Sequence, residues 1–533
     1  MLSRLFNKLC WPLSLIALWV VAQPILGAER ANHSKLVAPG ADGKLVYKPY
    51  TERGDVIPDF SNCGYGGGGV AIPNVPAKAT LQPVAGAQDD WPRLQAALDE
   101  VAKLPAGHDG WRGAVLLRRG AYRVSDTLKI SASGVVLRGE GEDEMGTILL
   151  ATGRKAHHLI AVKGAARAQE VKGTRQKISS AYVPVGSRSF EVADGSKFAA
   201  GDAVLVIRKG NAAWIHEIKM DQIALRASNP GSTKQWSPFD LTFDRVIAAV
   251  AGNRLTLDAP LTCAIEDKWG GGEIAQSDNS GRIERVGVEN LRAVSEFDRS
   301  KTAQEKGKQY FSDENHADYL VNFDNVKNAW ARRVTALNFA HGVATFGGGA
   351  KWVTVEDGTA LDPVSVITGG RRYPFNIGGQ LILVQRCMAR DARHAFAVGA
   401  RVPGPNVFLD CKAERNYATS EPHHRWSVGG LYDNVSAPMA TQDRQWMGSG
   451  HGWAGANYVV WNSTGSLVCQ QPPIAQNFAI GFVGTKSKGA FARPDGWWES
   501  FGRHVAPRSL YLQQLEDRLG RQAMLNIAKT NGL

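Results

Sequence analysis

The second half of the chain contains the repeated blocks VNFDNVKNA (321–329), VTVEDGTA (353–360), ILVQRCMA (382–389), VFLDCKA (407–413), LYDNVSA (431–437) and VVWNSTG (459–465). Each block is a β-rich run that ends in a polar turn. The turns are marked by Asn325, Asp357, Arg386, Asp410, Asn434 and Asn462, in steps of 32, 29, 24, 24 and 28 residues. One coil of a large parallel β-helix takes roughly 20 to 30 residues. The blocks therefore predict an all-β fold of stacked coils.

A β-sandwich is the alternative fold for the first half of the chain. Four β-rich runs of about four residues each lie between 114 and 150, separated by Gly, Ser or Asp turns and by no helix. Short strands of this kind suit a sandwich or a solenoid. The repeats favour the solenoid, and Cys387 and Cys411 occupy the same place in consecutive blocks, as stacked coils allow.

The N-terminal residues indicate export. Arg4 and Lys8 precede an apolar run from Leu9 to Ala22, which ends near the small pair Gly27 and Ala28. The run is shorter than the roughly 20 apolar residues of a membrane-spanning helix. We therefore expect a signal peptide over 1–28 and a periplasmic or secreted protein without stable membrane insertion.

Helices are expected near both ends of the solenoid. Leu94, Leu98 and Val101 form one apolar stripe after the start signals Asp90 and Pro92, which predicts a cap helix. A second helical pattern, from Pro507 to Ile527, is expected to cover the exposed end of the coils. The predicted divisions are a cap with the first coils (29–182), a β-rich insertion or elaborated coils (183–272), coils with the groove (273–475) and a C-terminal cap with a helix (476–533).

The charge balance favours an anionic glycan as partner. The net charge is +12, and removal of Arg4 and Lys8 with residues 1–28 leaves +10. No nucleic-acid motif or zinc spacing is present, and the basic residues are dispersed. The five cysteines beyond residue 28 are too few and too scattered for a disulfide scaffold.

Histidine and arginine recur at one phase of the repeat. His341, Arg371, Arg372, Arg401, His424 and His451 follow their markers by 16, 14, 15, 15, 14 and 17 residues. Stacked coils would place these side chains along one flank, as a positive groove suited to carboxylates or sulfates. His394 follows its marker by only eight residues and is included because Arg393 stands beside it.

These residue types suit β-elimination of a uronic acid, which needs a neutralised carboxylate, a base and a proton donor for the leaving oxygen. Arg371 and Arg372 are expected to hold the carboxylate. His424 or His394 is the candidate base, and Tyr373 or His451 the candidate acid. The remaining candidate sugar contacts are His341, Arg393, Arg401, His423, Arg425 and Trp453.

Two other functions stay open. Hydrolysis by two carboxylates would need a close acidic pair, and none stands beside a histidine loop in this part of the sequence. A glycan-binding or structural β-helix without catalysis is the third alternative. The DENHADY segment (313–319) is a weak candidate cation site, because it lacks the ordered spacing of a calcium loop.

A resemblance supports the leading interpretation. The segments DDWPRLQAALDEVAKL (89–104), GAVLLRRGAYRVSDTLKI (113–130) and GVVLRGEG (134–141) resemble the opening of pectate-lyase-superfamily β-helix proteins, and the later blocks resemble their coils. This resemblance implies a right-handed parallel β-helix that acts on polysaccharide. Lyases of this kind often hold calcium with acidic residues; no such set can be placed here, so the metal is unknown and calcium stays an open alternative. GSGHGW (448–453) is similar to the Gly-His-Gly of polygalacturonases, whose aspartate motifs are not matched. We predict a lyase for a uronate-containing polysaccharide.

Overall fold

The computed structural model describes residues 32–305 and 307–528, and the expected signal peptide lies outside them. Within these residues the chain winds into coils whose strands stack in parallel into three long sheets, which confirms the predicted parallel β-helix. Sheet 1 contains Ala77–Leu81, Gly113–Leu117, Val135–Gly141, Ile283–Ser295, Val326–Leu337, Lys351–Leu361, Leu383–Gln385, Pro403–Leu409, Ser427–Asp433, Gly455–Ala456, Val459–Trp461, Phe478–Ile480 and Trp497–Glu499.

Sheets 2 and 3 complete the coils. The three longest strands of sheet 1 turn a corner and continue into sheet 2. Sheet 2 also contains Gly120–Val124, Thr147–Ala151, Met388–Arg390, Lys412–Glu414, Ser436–Thr441, Thr464–Cys469 and Val483–Lys486. Sheet 3 contains Leu128–Ile130, Ile160–Lys163, Tyr319–Asp324, Gly342–Phe346, Phe375–Ile377 and Phe396–Val398.

The corner between sheets 1 and 2 explains the polar repeat. One residue per coil takes a left-handed backbone there, which Asn and Asp adopt more readily than other non-glycine residues. These corner residues have φ values of 45–58° and are Asn290, Arg333, Asp357, Arg386, Asp410, Asn434 and Asn462.

Five of the six predicted turn markers lie on this corner, and Asn325 does not. Its block spans the end of a sheet 3 strand and the start of Val326–Leu337, whereas Arg333 lies between the paired residues Arg332 and Val334, level with the corner residues Asn290 and Asp357. Placing the marker at Asn325 was therefore wrong by eight residues.

The helix Trp91–Lys103 covers the first coils. Leu94, Leu98 and Val101 are buried against the apolar interior of the solenoid, as the stripe predicted. Asp90 does not cap the first turn with its side chain, because its carboxylate binds the Arg93 side chain and the backbone N–H of Arg123.

The C-terminal helices Leu510–Leu519 and Arg521–Leu525 do not close the end of the solenoid. They pack on the outer face of sheet 1, because the outward residues there, such as Leu383, Leu409 and Val459, are apolar. The apolar side of the C-terminal helix is therefore buried against the outer face of sheet 1 and not against the end of the coils.

An antiparallel segment leaves the solenoid between two coils, and the range predicted for an insertion, 183–272, lies within it. Its core is separate from the coil interior and contains Trp214, Trp236 and Trp269. Its elements are the strands Gln169–Glu170, Gln176–Lys177, Tyr182–Val183, Ser189–Glu191, Ala203–Arg208, Leu241–Ala251, Arg254–Leu257, Ile265–Glu266 and Gly272–Asp278 and the helix Ala212–Glu217.

The described chain also has shorter elements. They are the hairpins Val37–Pro39 with Leu45–Tyr47 and Thr302–Glu305 with Lys308–Phe311, and a helical turn at Met447–Gly450. The five cysteines between 32 and 528 are buried free thiols.

Candidate active site

Side chains from successive coils meet on one flank of the solenoid. The ring centroids are 4.8 Å apart for Tyr373 and His394, and 4.7 Å apart for His394 and His423. His451 lies 4.9 Å from both His423 and His424. We call these five residues the histidine cluster.

Strand register explains this convergence. Tyr373 and His394 stand two residues before Phe375 and Phe396, which pair in sheet 3. The next coil continues the sheet through a bridge from Val398 to Pro422, which sets His423 beside His394. The cluster therefore depends on consecutive coils stacking in register.

The cluster lies outside the apolar interior. Asn376 alternates with Phe375 and Ile377, whose side chains fill the core, so Asn376 faces outward. Ala397 pairs with Asn376 and so also faces outward. In the next coil Val398 bridges Pro422, which places Glu421 level with Ala397 and on the same outward side. Overlying loops bury the cluster on the outer surface of sheet 3.

Glu421 and Arg444 form the floor of the site. The Glu421 carboxylate, 1% exposed, accepts a hydrogen bond from Arg444 Nη1 at 2.6 Å. The same oxygen lies 3.1 Å from His423 Nδ1 and 3.3 Å from His394 Nδ1. The positive charge of Arg444 holds the pKa of Glu421 well below its usual range despite its burial. The floor therefore fixes the two imidazoles in place.

The hydrogen bonds around His394 select one tautomer. His394 Nδ1 is 2.5 Å from the Thr419 carbonyl oxygen, so this nitrogen carries the proton. Its Nε2 is buried and has no hydrogen-bond partner among the described residues. His394 is thus a neutral imidazole with an unused acceptor under the surface of the site.

Tyr373 links the buried floor to the arginines. Its hydroxyl oxygen accepts from Arg393 Nη1 at 2.9 Å and lies 3.1 Å from His423 Nε2. Burial raises the pKa of Tyr373, while the charges of Arg393 and Arg444 oppose that rise. Arg444 Nη1, which can only donate, lies 2.7 Å from His423 Nδ1, so Nδ1 accepts and His423 Nε2 carries the proton that it donates to the Tyr373 oxygen. The His423 ring therefore stabilises negative charge on this oxygen.

The imidazoles are neutral near pH 7. Burial is the largest cause, and it lowers the pKa of His394 to about 4 and that of His423 to about 3. The pKa of His424 is lowered to about 4, by burial and by the positive charges of Arg425 and Arg444. His424 and His451 are less buried than the other two histidines, so they are the members best placed to meet a ligand.

Three arginines near the cluster lack a carboxylate partner among the described residues. Arg393 binds the Gly369 carbonyl and Tyr373, Arg425 binds Ser449, and Arg401 lies 4.1 Å over the ring of Phe239. Lone guanidinium groups beside neutral imidazoles leave the flank positive. The flank can therefore accept an anion.

Arg371 and Arg372 do not form the expected pair. Arg371 is exposed and pairs with Glu314 at 2.9 Å. Arg372 is 3% exposed, donates to the Ser365 carbonyl and packs over Tyr310 and Tyr417 in a different cavity. The carboxylate-holding role predicted for Arg372 does not fit this position.

Trp453 does not fit the predicted contact with a sugar. It is 2% exposed and belongs to the core of the antiparallel segment, so its ring cannot stack on a glycan. The aromatic residues of this flank are largely used for packing.

His341 lies at the far end of the row, stacked 4.7 Å from Tyr319 and 6.4 Å from Tyr373. It follows the true corner residue, Arg333, by eight residues, the same spacing as from Arg386 to His394. The sixteen-residue spacing of His341 therefore came from the misplaced marker.

Sequence reasoning missed Glu421 and Arg444. A usable signal existed for Glu421, because it stands two residues before His423 in EPHHRW, and strand alternation puts such residues on one side. No pattern marked Arg444. It reaches the site from the loop that follows Ser436–Thr441.

The donor atoms of the cluster do not fit calcium. Ligand atoms of His394, Glu421 and His423 lie within 4.8 Å of one another. Arg444 Nη1, however, lies 2.6 Å from the carboxylate oxygen and 2.7 Å from His423 Nδ1, so a cation already occupies the space between them. Calcium takes oxygen ligands, and this group offers mainly nitrogen.

The DENHADY segment does not form a cation site either. Asp313 accepts two backbone N–H groups, Glu314 pairs with Arg371, and Asp318 binds His158 at 2.7 Å. Each carboxylate is already satisfied by the protein.

The cluster also lacks the carboxylate pair of a hydrolase. Among the described residues, Glu421 is the acidic side chain in contact with it, and Arg444 and the two imidazoles hold that group. Inverting and retaining glycosidases need two carboxyl groups, about 6.5–9.5 or 5–5.5 Å apart.

Comparison with known proteins gives distant likenesses. No family model and no curated protein matches the chain. The tailspike of Acinetobacter baumannii bacteriophage AP22, solved with A. baumannii capsular saccharide, is 11% identical with a TM-score of 0.26, over 78% of this chain and 72% of that chain. The Streptococcus pneumoniae surface adhesin PfbA is 10% identical with a TM-score of 0.35, over 79% of this chain and 89% of the adhesin chain. An endo-xylogalacturonan hydrolase from Aspergillus tubingensis is 11% identical with a TM-score of 0.31, over 80% and 94%.

Likenesses this distant carry no argument about activity, which has to come from the residues of this chain. In the part of the chain that the structure describes, no helix has the length and apolar character to cross a membrane.

Proposed function

We propose that this protein is an exported lyase that cleaves a uronate-containing polysaccharide by β-elimination. The observation that carries the proposal is the meeting of Tyr373 with four neutral histidines on a flank where three arginines, Arg393, Arg401 and Arg425, have no carboxylate partner among the described residues. Export rests on the N-terminal sequence.

The reaction places three demands on the site. A base takes the proton from the carbon beside the carboxylate, a double bond forms between that carbon and its neighbour, and the bond to the glycosidic oxygen breaks. The leaving oxygen takes a proton. A positive group must stabilise the carboxylate while charge develops on it, and preorganised cations do this best in a water-poor site.

His424 is the proposed base. It is partly exposed, and its lowered pKa keeps it neutral and able to accept a proton at pH 7. His394 is the poorer choice of the two expected bases, because its free Nε2 is buried. We assign His394 to positioning the floor of the site.

Tyr373 is the proposed acid. Its hydroxyl can donate to the leaving oxygen, while Arg393 and His423 stabilise the transient phenolate; water then returns a proton to Tyr373, and His424 releases to water the proton that it took. Glu421 and Arg444 act through His423 by holding its ring. Arg393 and Arg425 are the proposed carboxylate contacts, in place of Arg372.

Hydrolysis and binding without catalysis are the alternatives. Hydrolysis lacks a second carboxylate at the cluster, as described above. Binding alone does not account for a tyrosine held between an arginine and a histidine.

The test incubates the mature protein with alginate, pectate, glucuronan and glycosaminoglycans and follows far-ultraviolet absorbance and reducing ends together. We expect both to rise in parallel on at least one uronate polymer. Reducing ends without absorbance would assign hydrolysis, and binding without either product would assign a glycan-binding protein. Both outcomes would refute the lyase.

A further inference from the structure

Arg208 is a buried cation without a carboxylate partner among the described residues. It ends the strand Ala203–Arg208, is 2% exposed, and its Nε and Nη1 have no hydrogen-bond partner among the described residues. The nearby acids Asp240 and Glu266 pair with Lys209 and Arg53 instead. A buried unpaired charge is costly to maintain, so an external anion would stabilise this arrangement.

The guanidinium borders a cavity of about 400 Å³, a size typical of small-ligand sites. Trp214 lies 3.9 Å from the guanidinium carbon, and its own Nε1 is buried without an acceptor. The rings of Tyr182, Trp269 and Trp426 form further walls. Trp214 and Trp426 are buried and only close the cavity, whereas the exposed amide of Gln471 suits sugar hydroxyls and the guanidinium of Arg208 suits a carboxylate.

The two carboxylates in the lining are already satisfied. Asp55 accepts hydrogen bonds from the Tyr182 hydroxyl and the Val185 backbone, and Glu266 pairs with Arg53 at 2.9 Å. With Lys268 and Arg208 the lining holds three cations against two anions. One negative charge on a ligand would balance it.

We propose that this cavity binds a sugar carboxylate, that is, a uronic acid or the uronate end of a glycan, through a bidentate pair with Arg208. No lining residue belongs to the histidine cluster. The ligand would therefore bind away from the proposed reacting groups, as a second glycan site. The proposal does not depend on the proposed lyase activity.

The test titrates the full chain with glucuronate and with glucose, its neutral counterpart, and follows tryptophan fluorescence and heat of binding. We expect saturable binding of glucuronate with a change in fluorescence, and binding of glucose at least tenfold weaker. Arg208→Gln should weaken glucuronate binding at least tenfold. Arg208→Lys keeps the charge but loses the planar guanidinium, so its affinity for glucuronate should lie between those of the wild type and Arg208→Gln.

Arg254→Gln is the matched control, because Arg254 belongs to the same segment, is exposed, and does not line the cavity. It should bind glucuronate as the wild type does. Equal binding of glucose and glucuronate, or wild-type affinity in Arg208→Gln or Arg208→Lys, would overturn the proposal. If Arg208→Gln does not fold, Arg208→Lys alone decides. Turnover is not measured, so this result is separate from that of the lyase test.

Discussion

Replacing Tyr373 by Phe removes one oxygen atom from the proposed site and leaves its ring contacts intact. That oxygen accepts from Arg393 and lies 3.1 Å from His423 Nε2. The loss of a hydrogen bond to a charged group such as Arg393 costs about 1.5–3 kcal/mol of folding free energy. Loss of a general acid lowers turnover by about 10² to 10⁴, which is about 2.7–5.4 kcal/mol in the barrier. The barrier should therefore rise by more than the folding free energy falls.

The assay compares initial rates of far-ultraviolet absorbance on the best uronate polymer with urea unfolding of the same preparation. Tyr432→Phe is the control, since Tyr432 is buried inside the coils and its hydroxyl donates to the Phe396 carbonyl at 3.0 Å. It deletes a comparable hydrogen bond away from the site. We expect it to lose stability and keep its kcat.

Two results would refute the reasoning on Tyr373. One is a kcat within threefold of the wild type in Tyr373→Phe. The other is an equal loss of activity in Tyr373→Phe and Tyr432→Phe, which would mean that folding and not chemistry had been disturbed.

Three further predictions follow from the same structure. His424→Ala should abolish turnover and change the unfolding free energy by no more than about 1 kcal/mol. His216, whose side chain is 70% exposed on the antiparallel segment, is the control, and His216→Ala should keep full turnover. Retained turnover in His424→Ala would exclude His424 as the base. His394 has a folded pKa of about 4, below the unfolded value near 6.5, so the unfolded chain binds more protons between these values and stability is lost as the pH falls through that window. At pH 5 the lost unfolding free energy is about 2 kcal/mol. Urea unfolding should therefore show that His394→Gln loses less stability between pH 7 and pH 5 than the wild type does. An equal loss in both proteins would contradict the buried, neutral state of His394. Asn462→Ala should cost about 2–4 kcal/mol in urea unfolding, because its side chain donates to the Val505 carbonyl and accepts from the Val505 N–H at a left-handed corner; a loss below 1 kcal/mol would exclude this role.

The repeat made the fold predictable. Each coil must bend at the same place, and only some residues accept the left-handed backbone there, so Asp410, Asn434 and Asn462 were visible as a period. Asn325 misled the count because a polar turn also occurs before Val326. A repeated polar residue therefore identifies a corner only when the residues of neighbouring coils stand at the same position in the strand register.

The site was predictable in part, for a physical reason. Coil spacing carried information on which loops share a flank, and it brought His424 and His451 to the same place. Coil spacing carried no information on the direction in which a side chain points within its loop, so the roles predicted for Arg372 and Trp453 were wrong. Arg444 reaches the floor through contacts set by tertiary structure, which no local pattern encodes.

Cleavage in water enriched in oxygen-18 tests the central claim most directly. Elimination breaks the chain without adding water, so the new ends should carry no label, and one of them should contain the double bond. Incorporation of one labelled oxygen per cleavage would show hydrolysis, and the chemistry assigned to Tyr373 and His424 would then be wrong.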